Sequence, residues 1–283
     1  MTSITTRQTT RSTGLQPAIV LKNICIDRSG SMTSFGGQQY AMTEELLLDS
    51  WKQARESNIP TQITLKTFDD RVETLLNKIN PNTQNTPSLQ IIRENLHPRG
   101  STRLNDTILN SLIQLEEDKD IYLNSLSNEV RGLNPTIVQI LVVITDGHDN
   151  YSNSSKDYVK DKILEFREQG GEAILMAANM DAQVIGSEYG FNIEQCLTVH
   201  NSDQEAIQSG FRSLGTVVRG SSLGIPTSFT QTQRVLSQNI SQTTPVNLLP
   251  MPTLTRQTAT PSSPTSILQT PRPTYQTAYA DLI

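Results

Sequence analysis

The sequence has few cysteines, histidines and aromatic residues, and it lacks long apolar runs. Its 283 residues include two cysteines, three histidines and 5% aromatic residues. No run of about 18 apolar residues is present and the first residues are polar, so neither a membrane-spanning helix nor a secretory signal is predicted. We expect no membrane insertion and, by default, a cytoplasmic location. Cys25 and Cys196 lie in apolar segments, where we expect them to be reduced and buried.

Charge is also scarce at both ends of the chain, in residues 1–16 and 221–283. These segments are rich in Thr, Ser and Gln, and they show neither the helical nor the strand period. We therefore predict a disordered N-terminal tail (1–16), a folded domain (17–220) and a low-complexity, disordered C-terminal tail (221–283). The charged residues of the two tails are Arg7, Arg11, Arg234, Arg256, Arg272 and Asp281.

The predicted domain is acidic. Each tail carries a net charge of +2, so the total of −5 leaves −9 on residues 17–220. An acidic domain without a stripe of Lys and Arg is not expected to bind nucleic acid or an anionic membrane surface as its main partner.

Apolar runs and helical stripes alternate along this domain, which favours an α/β fold with helices on both faces of a sheet. The runs "AIVLKNICI" (18–26) and "TIVQILVVIT" (136–145) are the most apolar and predict central strands. The segments 62–68 and 71–76 are close enough to form an antiparallel hairpin at one edge. The prediction is a Rossmann-like, open and mostly parallel six-stranded sheet with one antiparallel edge strand. The remaining predicted strands are 172–178 and 196–200.

Five oxygen-bearing residues follow predicted strands or precede a predicted helix. Asp27, Ser29 and Ser31 come directly after the first strand, Thr102 lies in a loop before a helix, and Asp146 ends the second central strand. In an open α/β sheet such strand ends converge on one edge. An all-oxygen set without Cys or His suits a hard cation, Mg²⁺ or Mn²⁺. Taken singly, each residue could also be an ordinary helix cap or turn residue, but this does not explain all five at once.

These residues resemble a known site. "DRSGSM" matches the DxSxS element, "GSTRL" the threonine loop and "ITDG" the aspartate loop of von Willebrand factor type A (vWA) domains, whose shared site is the metal-ion-dependent adhesion site. The resemblance covers roughly residues 17–220 and implies the vWA-like fold. It implies that Ser29, Ser31 and Thr102 are direct or near-direct ligands and that Asp27 and Asp146 lie in the inner or outer ligand shell.

Two further features refine the resemblance. "TFDDRVETL" and "AANMDAQVIGSEYGF" resemble intracellular members of bacterial and viral type. Ser101 departs from the pattern, since many members have a second glycine there. The strand order that the family implies, 3-2-1-4-5-6, separates Cys25 from Cys196 by about 14 Å, so no disulfide is expected.

The leading hypothesis is a non-enzymatic, protein-binding module that uses the bound cation to grip an Asp or Glu of an unidentified partner protein. A structural or scaffold role with an unused metal site is the alternative. A Mg²⁺-dependent hydrolase or phosphotransferase using Asp27 is less favoured, because the GxxxxGK[ST] motif is missing and neither Ser29 nor Ser31 lies in a GxSxG motif. We expect His148 to be idle rather than to face a partner, and Asp149 to lie in a solvated turn rather than to order the loop. The segment 270–283 is a weaker candidate for a linear docking motif.

Overall fold

The computed structural model describes residues 16–201 and 203–238. A six-stranded sheet forms its centre, and all nine residues of its first strand, β1, are buried. The long apolar runs of the sequence thus become strands that are covered on both faces. The strands are β1 Ile19–Asp27, β2 Thr61–Phe68, β3 Val72–Ile79, β4 Ile137–Thr145, β5 Glu172–Ala178 and β6 Cys196–Val199.

The strands lie in the order β3-β2-β1-β4-β5-β6, and only β3 runs antiparallel to its neighbour. The predicted fold class is therefore confirmed, including the antiparallel hairpin at the edge. β1 and β4 are parallel neighbours, with Ile26 opposite Ile144. Because both strands end one residue later, their carboxyl ends meet at the same edge of the sheet, on either side of the point where the strand order reverses.

Helices cover both faces of the sheet. Val20, Ile24 and Ile26 of β1 face a core formed with α1, α2 and α7, whereas Leu21 and Cys25 face a second core formed with α3, α5 and α6. This alternation is the period of two that a strand imposes on its side chains. The helices are α1 Gln38–Ser57, α2 Leu89–Asn95, α3 Leu104–Ser125, α4 Asn128–Gly132, α5 Lys156–Glu168, α6 Ala182–Glu188, α7 Gln204–Ser222 and α8 Gln231–Ser237.

The folded part of the chain continues beyond the predicted boundary at residue 220. Phe229 is buried in the core, and the backbone N–H of His200 donates to the Ser237 carbonyl oxygen at 3.0 Å. The polar composition of this segment concealed its order, because it is attached through one aromatic side chain and otherwise through hydrogen bonds, including those that the Arg234 and Ser237 side chains donate to backbone carbonyls. The rest of the predicted C-terminal tail, the segment 270–283 and residues 1–15 lie outside the described residues.

Both cysteines are buried, as expected, and no disulfide joins them. They lie in β1 and β6, which three strand positions separate. Among the residues that the structure describes, no helix is both long and apolar enough to cross a bilayer.

Candidate metal centre

The site lies where β1 and β4 end. The Asp27 carboxylate is fully buried and accepts two hydrogen bonds, from the Ser29 backbone N–H to Oδ1 at 2.7 Å and from the Thr145 hydroxyl to Oδ2 at 2.6 Å. Ser29 precedes a 3-10 helix, Gly30–Phe35, which turns the chain back over the edge of the sheet. The last residue of β4 thus orients the last residue of β1.

A chain of hydrogen bonds links the first motif to the aspartate loop. The hydroxyl oxygens of Ser29 and Ser31 are 3.0 Å apart, and the Ser31 hydroxyl donates to Asp146 Oδ1 at 2.7 Å. Ser31 and Asp146 are 115 positions apart in the sequence. The alternation of the DxSxS element therefore brings both serine hydroxyls to the side of Asp146, as predicted for a shared site.

Thr102 approaches the same cluster across Gly147. A Cβ added at Gly147 would lie 3.3 Å from the Thr102 hydroxyl oxygen and 3.7 Å from that of Ser31. Both hydroxyls therefore border the small space that the missing side chain leaves. Asn150 holds Thr102 in place, since its Oδ1 accepts from the Thr102 N–H at 2.8 Å and its own N–H donates to the Thr102 carbonyl oxygen at 3.0 Å.

A buried ion network supports the threonine loop from behind. Arg28 is almost fully buried, and its guanidinium contacts Asp69 Oδ2 at 3.0 Å and Glu73 Oε2 at 2.7 Å. Arg99 contacts the same Asp69 oxygen at 2.6 Å. Backbone hydrogen bonds from Arg99 to the Arg28 carbonyl and from Arg103 to the Asp69 carbonyl, both 2.8 Å, complete the tie. The end of β1, the turn after β2 and the threonine loop are thus fixed to one another.

Gly100 and Ser101 shape the same loop. Gly100 has φ +67°, and a Cβ there would lie 3.2 Å from Asp70 Oδ1. Glycine suits this position because a side chain would be strained by the backbone and crowded by Asp70. Ser101, which departs from the vWA pattern, leaves this turn intact.

Burial disfavours the charged form of both carboxylates. It raises the pKa of Asp27 to about 6, an effect that the hydrogen bonds from Thr145 and Ser29 oppose and the neighbouring charge of Asp146 reinforces. Burial likewise raises the pKa of Asp146, against the hydrogen bond from Ser31. Among the described residues, neither carboxylate forms a salt bridge. Two close, unpaired carboxylates are stabilised by a cation between them.

The donor set fits a hard cation, although not one held by charged groups alone. In the part of the chain that the structure describes, no three His, Cys, Asp or Glu side chains form a group that could hold a metal ion. A cation at this edge therefore needs hydroxyl oxygens besides Asp27 and Asp146, and those of Ser29, Ser31 and Thr102 lie in the same cluster. Oxygen donors of this kind suit Mg²⁺ or Mn²⁺.

The loop after Asp146 differs in part from its prediction. His148 is exposed, as expected for an idle loop residue. Asp149 does not lie in a solvated turn: its Oδ1 accepts from the Asn105 N–H at 3.1 Å and from the Ser152 hydroxyl at 2.5 Å. The carboxylate thereby ties the aspartate loop to the start of α3.

Sequence reasoning missed four residues that shape the site: Thr145, Asn150, Arg28 and Asp69. Thr145 was visible only as the end of an apolar run, and Asn150 as one polar loop residue among several. Arg28 and Asp69 carry opposite charges next to predicted strand ends, which was the only available signal for a pair. Their partners lie 41 or more positions away in the sequence, so spacing alone could not connect them.

No protein-family model matches the sequence, and no curated protein matches it either. Solved structures with a similar course of the chain include proximal thread matrix protein 1 from the mussel byssus, at 13% identity and a TM-score of 0.47 over 72% of this chain and 46% of that one. A form of that protein with a zinc-occupied MIDAS motif has 14% identity and a TM-score of 0.48, with the same coverage of both chains.

Two bacterial structures are similar to the same degree. A von Willebrand factor type A protein from Catenulispora acidiphila has 13% identity and a TM-score of 0.47, over 72% of this chain and 43% of that one. The PilB minor pilin from Streptococcus sanguinis has 16% identity and a TM-score of 0.48, over 75% of this chain and 63% of that one. This chain spans about half the length of proximal thread matrix protein 1. The open, mostly parallel six-stranded sheet described above is the fold that the resemblance to vWA domains implies.

Proposed function

We propose that the protein is a vWA-like, protein-binding module that holds a divalent cation and uses it to bind an acidic side chain of a partner protein. The cation is Mg²⁺ or Mn²⁺, and its ligands, direct or through water, are Asp27, Ser29, Ser31, Thr102 and Asp146. One observation carries the proposal: the buried carboxylate of Asp27 and the half-buried carboxylate of Asp146 share one hydrogen-bonded cluster with serine hydroxyls at the carboxyl edge of the sheet, and neither has a basic partner among the described residues.

The charge of this ligand set explains why an external acid would bind. Three of the five proposed ligands are neutral hydroxyls, so they offset none of the charge of a divalent ion. A bound Mg²⁺ or Mn²⁺ supplies a positive charge that attracts an oxygen ligand from outside. Gly147 keeps the space beside Thr102 and Ser31 free of any side chain.

Each protein group in this arrangement binds or orients, and the proposal assigns none of them a catalytic step. Thr145 and the Ser29 N–H hold the Asp27 carboxylate, Asn150 holds Thr102, and Ser31 orients Asp146. Groups fixed in this way lose little freedom when a ligand binds, which favours affinity.

Calorimetric titration of the full chain with MnCl₂ tests the metal site. We expect saturable binding by the wild type and at least a tenfold loss in Thr102→Val, which replaces the hydroxyl by a methyl group of similar size. Gly147→Val is expected to weaken binding similarly, because its side chain enters the space between the hydroxyls. Gly132→Val is the matched control, since no atom lies within 4 Å of a Cβ added there. The absence of saturable uptake by the folded wild type would refute the proposal.

The acidic partner is tested separately on the Mn²⁺-loaded protein. Water-proton relaxation reports water molecules on bound Mn²⁺, so a peptide carboxylate that replaces one lowers the enhancement. We expect a hexapeptide with a central Glu to lower it, and the same peptide with Gln to leave it unchanged. Equal effects of both peptides would contradict recognition of an acid while leaving the metal site standing.

A further inference from the structure

A groove runs between α3 and α5, on the side of the sheet that also carries α6. The two helices pack beside each other on the second core, and the groove between them encloses about 370 Å³. Leu112 and Phe166 form its floor and are themselves buried, whereas Ile113 and Tyr158 form its walls and are each 49% exposed. An apolar floor with half-exposed apolar walls is a surface that gains free energy when it is covered.

The α3 side of the groove follows one helical stripe. Its lining residues on α3 run from Leu109 to Asp120 at spacings of three, one, three, one and three, which is the pattern of neighbouring positions on one face. At a rise of 1.5 Å per residue the stripe is about 16 Å long. A helix of about three turns is the element that matches this length and shape.

The rim of the groove is acidic. Four carboxylates and one ammonium group line it. The ammonium group belongs to Lys162 and is paired with Glu165 at 2.7 Å. Glu116 is paired with Lys119. Glu117 and Asp120 form no salt bridge with any residue of the described ranges, so they leave two negative charges along the α3 edge.

We propose that this groove binds an amphipathic helix of a partner protein, with apolar side chains on its buried face and Lys or Arg side chains along the edge next to Glu117 and Asp120. Apolar contact with the floor and walls provides the affinity, and the acidic rim selects a basic partner and orients it. A second copy of this chain fits less well, because it would place the same acidic rim against itself and its domain carries a net charge of −9.

The groove is separate from the candidate metal centre. Thr102 precedes the first turn of α3, whereas the groove begins at Leu109 and runs towards the other end of the helix. Binding in the groove is therefore expected to be the same with and without EDTA. This makes its test independent of the function proposed above.

Selection from a displayed library of 16-residue helical peptides, with the full chain as bait, tests the proposal. Recovered peptides are expected to carry an apolar stripe at i, i+3, i+4 and i+7, to be enriched in Lys and Arg, and to compete with one another. Their affinity should fall at least tenfold in Ile113→Ser and in Tyr158→Ser. Ile121→Ser is the matched control, because Ile121 is 60% exposed on the same helix but lies outside the groove.

Charge provides a second readout on the same peptides. The double variant Glu117→Gln and Asp120→Gln should weaken binding severalfold, and salt raised from about 0.05 M to about 0.5 M should do the same, because it shortens the screening length. Selected peptides without basic enrichment, or undiminished binding by Ile113→Ser, would overturn the proposal. So would sedimentation showing a wild-type dimer that Ile113→Ser converts to a monomer, since a second copy would then occupy the groove.

Discussion

Lys22 lies in the middle of the central strand β1, where the chain buries an ionisable group under α1 and α7. Its side chain is 1% exposed, and its ammonium nitrogen has the Ser50 hydroxyl as a hydrogen-bond partner at 3.3 Å. Burial lowers the pKa of Lys22 to about 7. We predict that Lys22→Met stabilises the protein, and that the gain depends on pH.

The size of the gain follows from the two pKa values. The unfolded chain keeps the Lys22 proton up to about pH 10.4, whereas the folded chain loses it near pH 7. Between these values the unfolded state binds more protons, so the free energy of unfolding rises with pH by up to about 1.4 kcal/mol per unit. The free-energy cost of burying the charged Lys22 side chain is complete below pH 7 and disappears above about pH 10.4. Removing it should stabilise the protein by about 4 kcal/mol at pH 7 and by about 2 kcal/mol at pH 9.

Urea unfolding of wild type and variant at pH 7, 8 and 9 measures this difference. The change of the gain with pH is the decisive quantity, because any packing difference between Lys and Met is the same at each pH. Lys52→Met is the control for replacing a lysine by a methionine, because Lys52 lies on the exposed side of α1, with 65% of its side chain accessible. A gain from Lys22→Met that stayed constant between pH 7 and pH 9 would show that the ammonium is not desolvated as described.

Two further predictions concern the support of the site and the packing of α7. Asp69→Asn removes the buried charge that faces Arg28, which keeps Glu73 as a second partner, and should cost about 1.5–3 kcal/mol in urea unfolding. It should also weaken Mn²⁺ binding in calorimetry, because the threonine loop loses the ion pair between Asp69 and Arg99. An unchanged free energy of unfolding together with an unchanged Mn²⁺ affinity would contradict the role of this network. Gly210→Ala should destabilise by about 1–3 kcal/mol, because its Cβ would lie 2.5 Å from a methyl carbon of Val199. On the same helix, a Cβ added at Gly215 makes only an ordinary contact at 3.4 Å, so Gly215→Ala should stabilise the protein by about 0.5–1 kcal/mol. Equal effects of the two substitutions in thermal unfolding would refute the packing argument.

Much of the fold could be predicted because its signals are local. The runs 18–26 and 136–145 are apolar at nearly every position, which marks strands buried on both faces. The stripe of Leu104, Ile108, Leu112 and Leu115 marks α3 through the helical period. Two short helices, α4 and α6, escaped this reasoning because their five and seven residues give the helical period little room to repeat.

The candidate site was likewise predictable only in part. Asp27, Ser29 and Ser31 were recognisable because their alternation follows directly from the strand before them. That Ser31 meets Asp146 and Thr145 meets Asp27 depends on β1 and β4 being parallel neighbours in one register. A shift of that register by one residue would turn these side chains to the opposite faces.

The sequence by itself determined the class of fold, the candidate oxygen donors and the acidic character of the domain, because period, residue type and charge are properties of neighbouring positions. Only the tertiary structure decided that Arg28 faces Asp69, that Asn150 holds Thr102, and that a groove with an acidic rim opens between α3 and α5. Each of these features joins residues far apart in the chain. Their contacts depend on how the sheet and its helices pack, which no local pattern encodes.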